Sequence, residues 1–152
     1  MYTEAITPAP VKAVDPEQAP AKAGETITYT GTFTLPRQGI DTIGKIKLMS
    51  MVDTFDKRLD FQSLTVSFDG QTLTEGTDYT LAVDGQKVTV NIKDHLLIKA
   101  NGGKKFVITY MTVTNSKVET DGSNIDNELT QVVDGNVAHS NKVTTELLYE
   151  KT

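Results

Sequence analysis

The chain contains neither cysteine nor tryptophan, and only two histidines. Without cysteine there are no disulfides, no thiolate metal sites and no cysteine nucleophile. An extracellular domain of this sequence would therefore need another source of stability. Without tryptophan there is no obvious platform for stacking a sugar. Positive charge is the minority sign: 15 Lys and Arg against 20 Asp and Glu give a net charge of -5. No basic surface for nucleic acid and no polybasic run for an anionic membrane follows from that balance. No apolar stretch approaches the length of a membrane span. The first ten residues, Met-Tyr-Thr-Glu-Ala-Ile-Thr-Pro-Ala-Pro, lack the basic and apolar regions of a signal peptide. No glycine-rich phosphate loop lies between a strand and a helix.

What is present is β patterning. In Thr26–Leu35 the residues Ile27, Tyr29, Phe33 and Leu35 alternate with five threonines, a period of two with one wet face. Further β-like runs are Val11–Val14, Ile43–Phe55, Phe61–Phe68, Tyr79–Val83, Lys87–Ile92, Lys104–Val113, Asn127–Val133 and Asn141–Tyr149. The separators are turn-formers: Asp69-Gly70, Asp84-Gly85, Asn101-Gly102-Gly103, Asp121-Gly122 and Asp134-Gly135. Short helical turns are expected at Asp94–Ala100 and Thr54–Leu59. Eight to ten strands at this spacing, almost without 3.6-residue periodicity, predict an all-β, immunoglobulin-like β-sandwich. At 152 residues the chain is read as one domain, residues 11–150, behind a Pro/Ala/Thr-rich linker at 1–10. The whole reads as a segment of a longer protein.

Three polar residues sit where such a sandwich should be apolar. Asp53 is in phase with Met49, Met51 and Phe55. Asn141 is in phase with Val143, Leu147 and Tyr149. Lys12 lies in Val-Lys-Ala-Val, a run apolar on both faces. Each has an ordinary explanation: an edge-strand lysine that deters aggregation, an aspartate capping a turn, an asparagine bonded to a loop. If the three meet in one core they cannot remain unpaired without heavy cost.

The order of short motifs resembles the isopeptide-forming domains of Gram-positive pilins and cell-wall adhesins, of the collagen-adhesin A-type immunoglobulin-like class. It runs from Val11-Lys12-Ala13-Val14 through Gly24-Glu25-Thr26-Ile27-Thr28-Tyr29-Thr30 and Leu35-Pro36 to Val52-Asp53-Thr54-Phe55. It continues with Gly76-Thr77-Asp78-Tyr79-Thr80 and Ile108-Thr109-Tyr110, and closes on Ser140-Asn141-Lys142-Val143. The resemblance implies that a first-strand lysine bonds to a last-strand asparagine, with an intervening carboxyl as catalyst. Carried onto this chain, Lys12 is the nucleophile, Asn141 the acceptor and Asp53 the acid. Asn127 is the alternative acceptor, and Glu128 or Asp56 the alternative acids. It further implies a structural module of a fimbria or adhesin on the Gram-positive cell wall, extracellular and monomeric as an isolated domain. Its partners would be neighbouring domains and, through its loops, a host matrix protein or glycan. No pilin-motif lysine occurs in a Tyr-Pro-Lys context and no sorting signal is seen, which leaves shaft pilin and adhesin as alternatives.

The chemistry suits those residue types. A desolvated lysine is pushed toward the neutral, nucleophilic amine, and a buried carboxylic acid can activate a carboxamide and move protons to the departing ammonia. Folding supplies the effective concentration, and no cofactor is needed. Tying Lys12 to Asn141 would close nearly the whole chain into a loop, stabilising it by about 5 kcal/mol on the chain-entropy account.

Other signals are weaker. Leu35-Pro36-Arg37-Gln38-Gly39 is similar to a sortase pentapeptide but departs at the fourth position, and a strand-ending turn is expected. Asp121–Asp126 is oxygen-rich without the spacing of an EF-hand loop, and reads as an exposed turn. His139-Ser140 lacks a nucleophile elbow and the geometry of a hydrolase triad.

Overall fold

The computed structural model describes residues 8–37 and 46–149. These residues form thirteen strands: β1 (Val11–Asp15), β2 (Gln18–Pro20), β3 (Thr26–Thr34), β4 (Met49–Thr54), β5 (Leu59–Phe68), β6 (Gln71–Thr72), β7 (Tyr79–Asp84), β8 (Lys87–Ile92), β9 (Lys105–Thr114), β10 (Ile125–Asn127), β11 (Leu129–Val133), β12 (Asn136–His139) and β13 (Val143–Leu148). Two five-stranded sheets run β1-β3-β9-β5-β6 and β12-β11-β4-β8-β7. A three-stranded sheet runs β10-β13-β2, in which β13 and β2 are parallel.

Alternation decides which faces meet. Ile27, Tyr29 and Phe33 of β3 and Phe106, Ile108 and Tyr110 of β9 are fully buried, as are Met49 and Met51 of β4, Val88 and Val90 of β8, and Leu129 of β11. They form one hydrophobic core shared by both large sheets. Phe55, just past β4, stacks on Tyr29 at 5.8 Å between ring centroids and meets Tyr110 edge-on at 5.6 Å. Gly31 of β3 lies directly against Leu129 of the facing sheet. A Cβ there would lie 2.3 Å from Leu129 Cδ1.

The all-β sandwich matches the sequence-based expectation, and β8 has the predicted bounds. The extra strands are two to four residues long, too short to show a period. β12 has no buried apolar residue and escapes the pattern, although its Asp134-Gly135 turn was visible. Asp134 adopts φ 48° and Gly135 φ 86°, the left-handed pair of a two-residue hairpin. The run Asn127–Val133 is not one strand. Its period of two continues through Glu128, but β10 pairs with β13 whereas β11 pairs with β4. The last run begins at Val143 rather than Asn141. Asp94–Ala100 holds 3-10 turns at Asp94–Leu96 and Lys99–Asn101, whereas residues 55–58 make a turn without helix. The predicted start of β4 at Ile43, the Gln38-Gly39 turn and most of the 1–10 linker lie outside the described residues.

Candidate functional site

β1 is an edge strand with a single buried residue, and that residue is Lys12. Its backbone faces Gly31 of β3, and its side chain enters the core beside the aromatic layer. Nζ lies 4.5 Å from the Tyr29 ring centroid and 5.8 Å from those of Phe55 and Tyr110. Asp53 arrives from β4, whose central place between β8 and β11 fixes its backbone (Asp53 faces Val88 on one side and Leu129 on the other). Asn127 arrives from the last position of β10.

The three side chains meet. Lys12 Nζ donates to Asp53 Oδ2 at 2.5 Å and also to Asn127 Oδ1. The lysine and aspartate side chains are wholly buried, and Asn127 is only 5 % exposed. Among the described residues Asp53 Oδ1 and Asn127 Nδ2 make no hydrogen bond of good geometry, although the Asn127 carboxamide is near enough to Asp53 to act on its charge.

Burial dominates the electrostatics. It lowers the Lys12 ammonium to about 8 although the Asp53 charge pulls it upward. It raises the Asp53 carboxyl, with Lys12 and, to a lesser degree, the Asn127 carboxamide pulling the other way. Both shifts move the pair away from a pure ion pair and toward a neutral amine beside a protonated acid, which brings the reactive form within reach. Such a site offers a nucleophile, a proton carrier and a carboxamide in one dry pocket. A cleft of about 300 Å³ lined by Val52, Asp126, Asn127 and Lys142 reaches the outer side of Asn127.

Asn141 takes a different position from the one its predicted strand phase implies. It precedes β13, is exposed, and its carboxamide binds the backbone of Lys12, accepting from the N–H and donating to the C=O, each at 2.9 Å. Phase was extrapolated past the true strand start, so the inward assignment of Asn141 is corrected. The carboxamide at the amine is that of Asn127. The alternative acids also stand elsewhere: Glu128 is exposed, and Asp56 is engaged by Arg58 through both carboxylate oxygens at 2.9 and 2.8 Å. The aromatic walls around Lys12 went unassigned in the sequence. Their inward phase was legible, but not their adjacency to the lysine.

The Sgo0707 N2 domain family matches this chain over residues 7–146. The N-terminal domain of the Streptococcus gordonii adhesin Sgo0707 has the same fold at a TM-score of 0.87 and 46% identity, covering 95% of this chain and 34% of that one. The full-length major pilin SpaD of Corynebacterium diphtheriae follows at 0.73 and 25% identity, covering 90% of this chain and 34% of that one. A fimbrial subunit type 2 of Actinomyces naeslundii is 36% identical over 95 residues, 60% of this chain and 17% of the subunit. The chain thus spans 34% of each of these two structures and 17% of the fimbrial subunit, and these relatives are structural pilin, fimbrial and adhesin proteins of Gram-positive surfaces rather than enzymes. It belongs to the Sgo0707 N2 domain family.

Proposed function

We propose that the domain is a structural module of a Gram-positive fimbria or adhesin, locked by an intramolecular isopeptide bond between Lys12 and Asn127 that forms with Asp53 as acid. The observation that carries this reading is Lys12 Nζ held between Asp53 Oδ2 and Asn127 Oδ1 among buried aromatic rings. The neutral amine attacks Asn127 Cγ and a C–N bond forms. Asp53 passes the proton lost by Nζ to Nδ2, the Cγ–Nδ2 bond breaks, and ammonia leaves with the acid regenerated. The Asn127 carboxamide already acts on the Asp53 carboxyl, and this proton transfer would run along that contact. The reaction runs once per molecule and the product is inert to turnover.

The bond ties the edge strand β1 to β10, so tension or proteolytic nicking between them would leave the ends joined. Neighbouring domains of a longer surface protein are its natural mechanical partners. Intact mass tests the reading: the folded chain should be one ammonia lighter than its sequence. A peptide map should show a branched peptide joining Lys12 to Asn127, absent from Asn127→Ala. An unmodified mass, or a branch ending at Asn141, would refute it. The likeness to an adhesin favours a second and compatible reading, recognition of a host protein or glycan by loops at one end of the sandwich. Binding of this fragment to matrix proteins and a glycan array tests that separately.

A further inference from the structure

Arg58 is 3 % exposed, and nothing in the proposed chemistry uses it. It lies in the turn after β4, five residues beyond Asp53. Its guanidinium forms a two-pronged contact with Asp56, Nε to Oδ1 at 2.9 Å and Nη2 to Oδ2 at 2.8 Å. The remaining donors leave the turn altogether. Nη1 donates to the carbonyls of Asp121 at 2.9 Å and Ser123 at 2.6 Å and to Ser123 Oγ at 3.2 Å. Nη2 donates to the carbonyl of Asn124 at 3.2 Å. The oxygen-rich segment read from sequence as an exposed turn is therefore the socket of a buried cation.

That segment runs directly into β10. β10 is three residues long and lies at the edge of its sheet, paired only with β13. Two residues after Asn127 the chain is fixed again, where Leu129 pairs with Asp53. Asn127 is thus suspended between two anchors, and both lead back to the stretch that carries Asp53. Downstream the anchor is a strand pairing, and upstream it is the Arg58 guanidinium. We infer that Arg58 is a positioning residue, which tethers residues 121–124 to the turn after β4 and so holds the Asn127 carboxamide against Asp53 and Lys12. This rests on the Lys12–Asn127 reading above. A planar fork suits the task because three carbonyls and one carboxylate must be met at fixed angles, which a lysine ammonium cannot do.

The test follows bond formation as ammonia loss in the full chain after a short pulse of cell-free synthesis, using intact mass, with the folded fraction measured by pulse proteolysis in the same samples. Wild type is compared with Arg58→Lys and with Asp56→Asn, which keeps the shape of the turn and weakens the fork. A displacement of the amide by about an ångström is expected to slow the reaction in folded molecules by about a hundredfold in Arg58→Lys, with Asp56→Asn slowed less. A merely structural role would lower the folded fraction and leave the rate per folded molecule unchanged, and that result overturns the inference. If Arg58→Lys does not fold, Asp56→Asn decides: slower ammonia loss supports positioning, and the wild-type rate overturns it. A wild type that keeps its full mass refutes the crosslink itself, and the role of Arg58 falls with it.

Discussion

Replacing Lys12 by methionine removes the amine while keeping an unbranched side chain of similar length among Tyr29, Phe55 and Tyr110. In the crosslinked protein the bond closes a loop of 115 residue steps. On the chain-entropy account, opening that loop costs about 5 kcal/mol, nearly all of it through the unfolded state. Asp53 also loses its partner. Burial raises this carboxyl, and losing the lysine pushes it further toward the neutral acid, so the unsatisfied group adds about 1–3 kcal/mol rather than the larger cost of a buried charge. The sum, about 6–8 kcal/mol, corresponds to a fall in Tm of roughly 12–30 °C for a domain of this size. Calorimetry on samples of verified mass measures it. Asn127→Ala opens the same loop, so the double variant should fall little below either single one, since a bond can be lost only once. Lys12→Met melting within a few degrees of a wild type that has lost ammonia would refute the entropic account. Additive losses in the double variant would refute the shared bond.

The reactive form, neutral Lys12 with protonated Asp53, carries the same number of protons as the ion pair, so its population does not grow indefinitely with pH. With Lys12 near 8, bond formation in freshly folded protein should fall above about pH 8 as the pair loses its remaining proton, and fall again in acid as the pair gains one. A rate rising steadily to pH 10, read by stopped-time mass spectrometry, would remove Asp53 as the acid. Asn141→Ala should keep the ammonia loss but slow it, because two 2.9 Å bonds to the Lys12 backbone disappear. Complete loss of the crosslink with the fold intact would restore Asn141 as acceptor. Gly31→Ala puts a methyl 2.3 Å from Leu129 Cδ1 and 2.9 Å from Phe33 Cε2, an overpacking expected to cost about 1–3 kcal/mol. Denaturation in urea checks this, and an unchanged midpoint would show that the layers can part there freely.

The sandwich was legible because its long strands alternate cleanly: β3 and β9 bury every second residue, as the threonine-rich pattern predicts. The inward turn of Asp53 followed from its neighbours in the same way. Lys12 could not be read by phase, since Val11 and Ala13, apolar in sequence, are both exposed on an edge strand. Asn141 ranks above Asn127 on family order and strand phase, but phase tells inward from outward only within a strand. Neither the switch of sheets at Glu128 nor the start of β13 at Val143 leaves a mark in the alternation. Asn141 is nonetheless bonded to the Lys12 backbone, so family order located the neighbourhood, while the contact with Nζ is made by Asn127. The Arg58 socket is built from backbone carbonyls, which no side-chain pattern encodes.

The proposed acceptor lies in β10, well before the last strand, so a bond there would enclose β2 to β9 but not β11, β12 or β13. Pulled from residues 8 and 149, the molecule would transmit force through Lys12 and Asn127 and leave everything between them slack. Besides the four residues ahead of Lys12, only Glu128–Tyr149 could lengthen, each freed residue adding about 3.4 Å. The domain would then behave as a rigid link in series with a short extensible leash, whose release begins where β13 is peeled from β10 and β2.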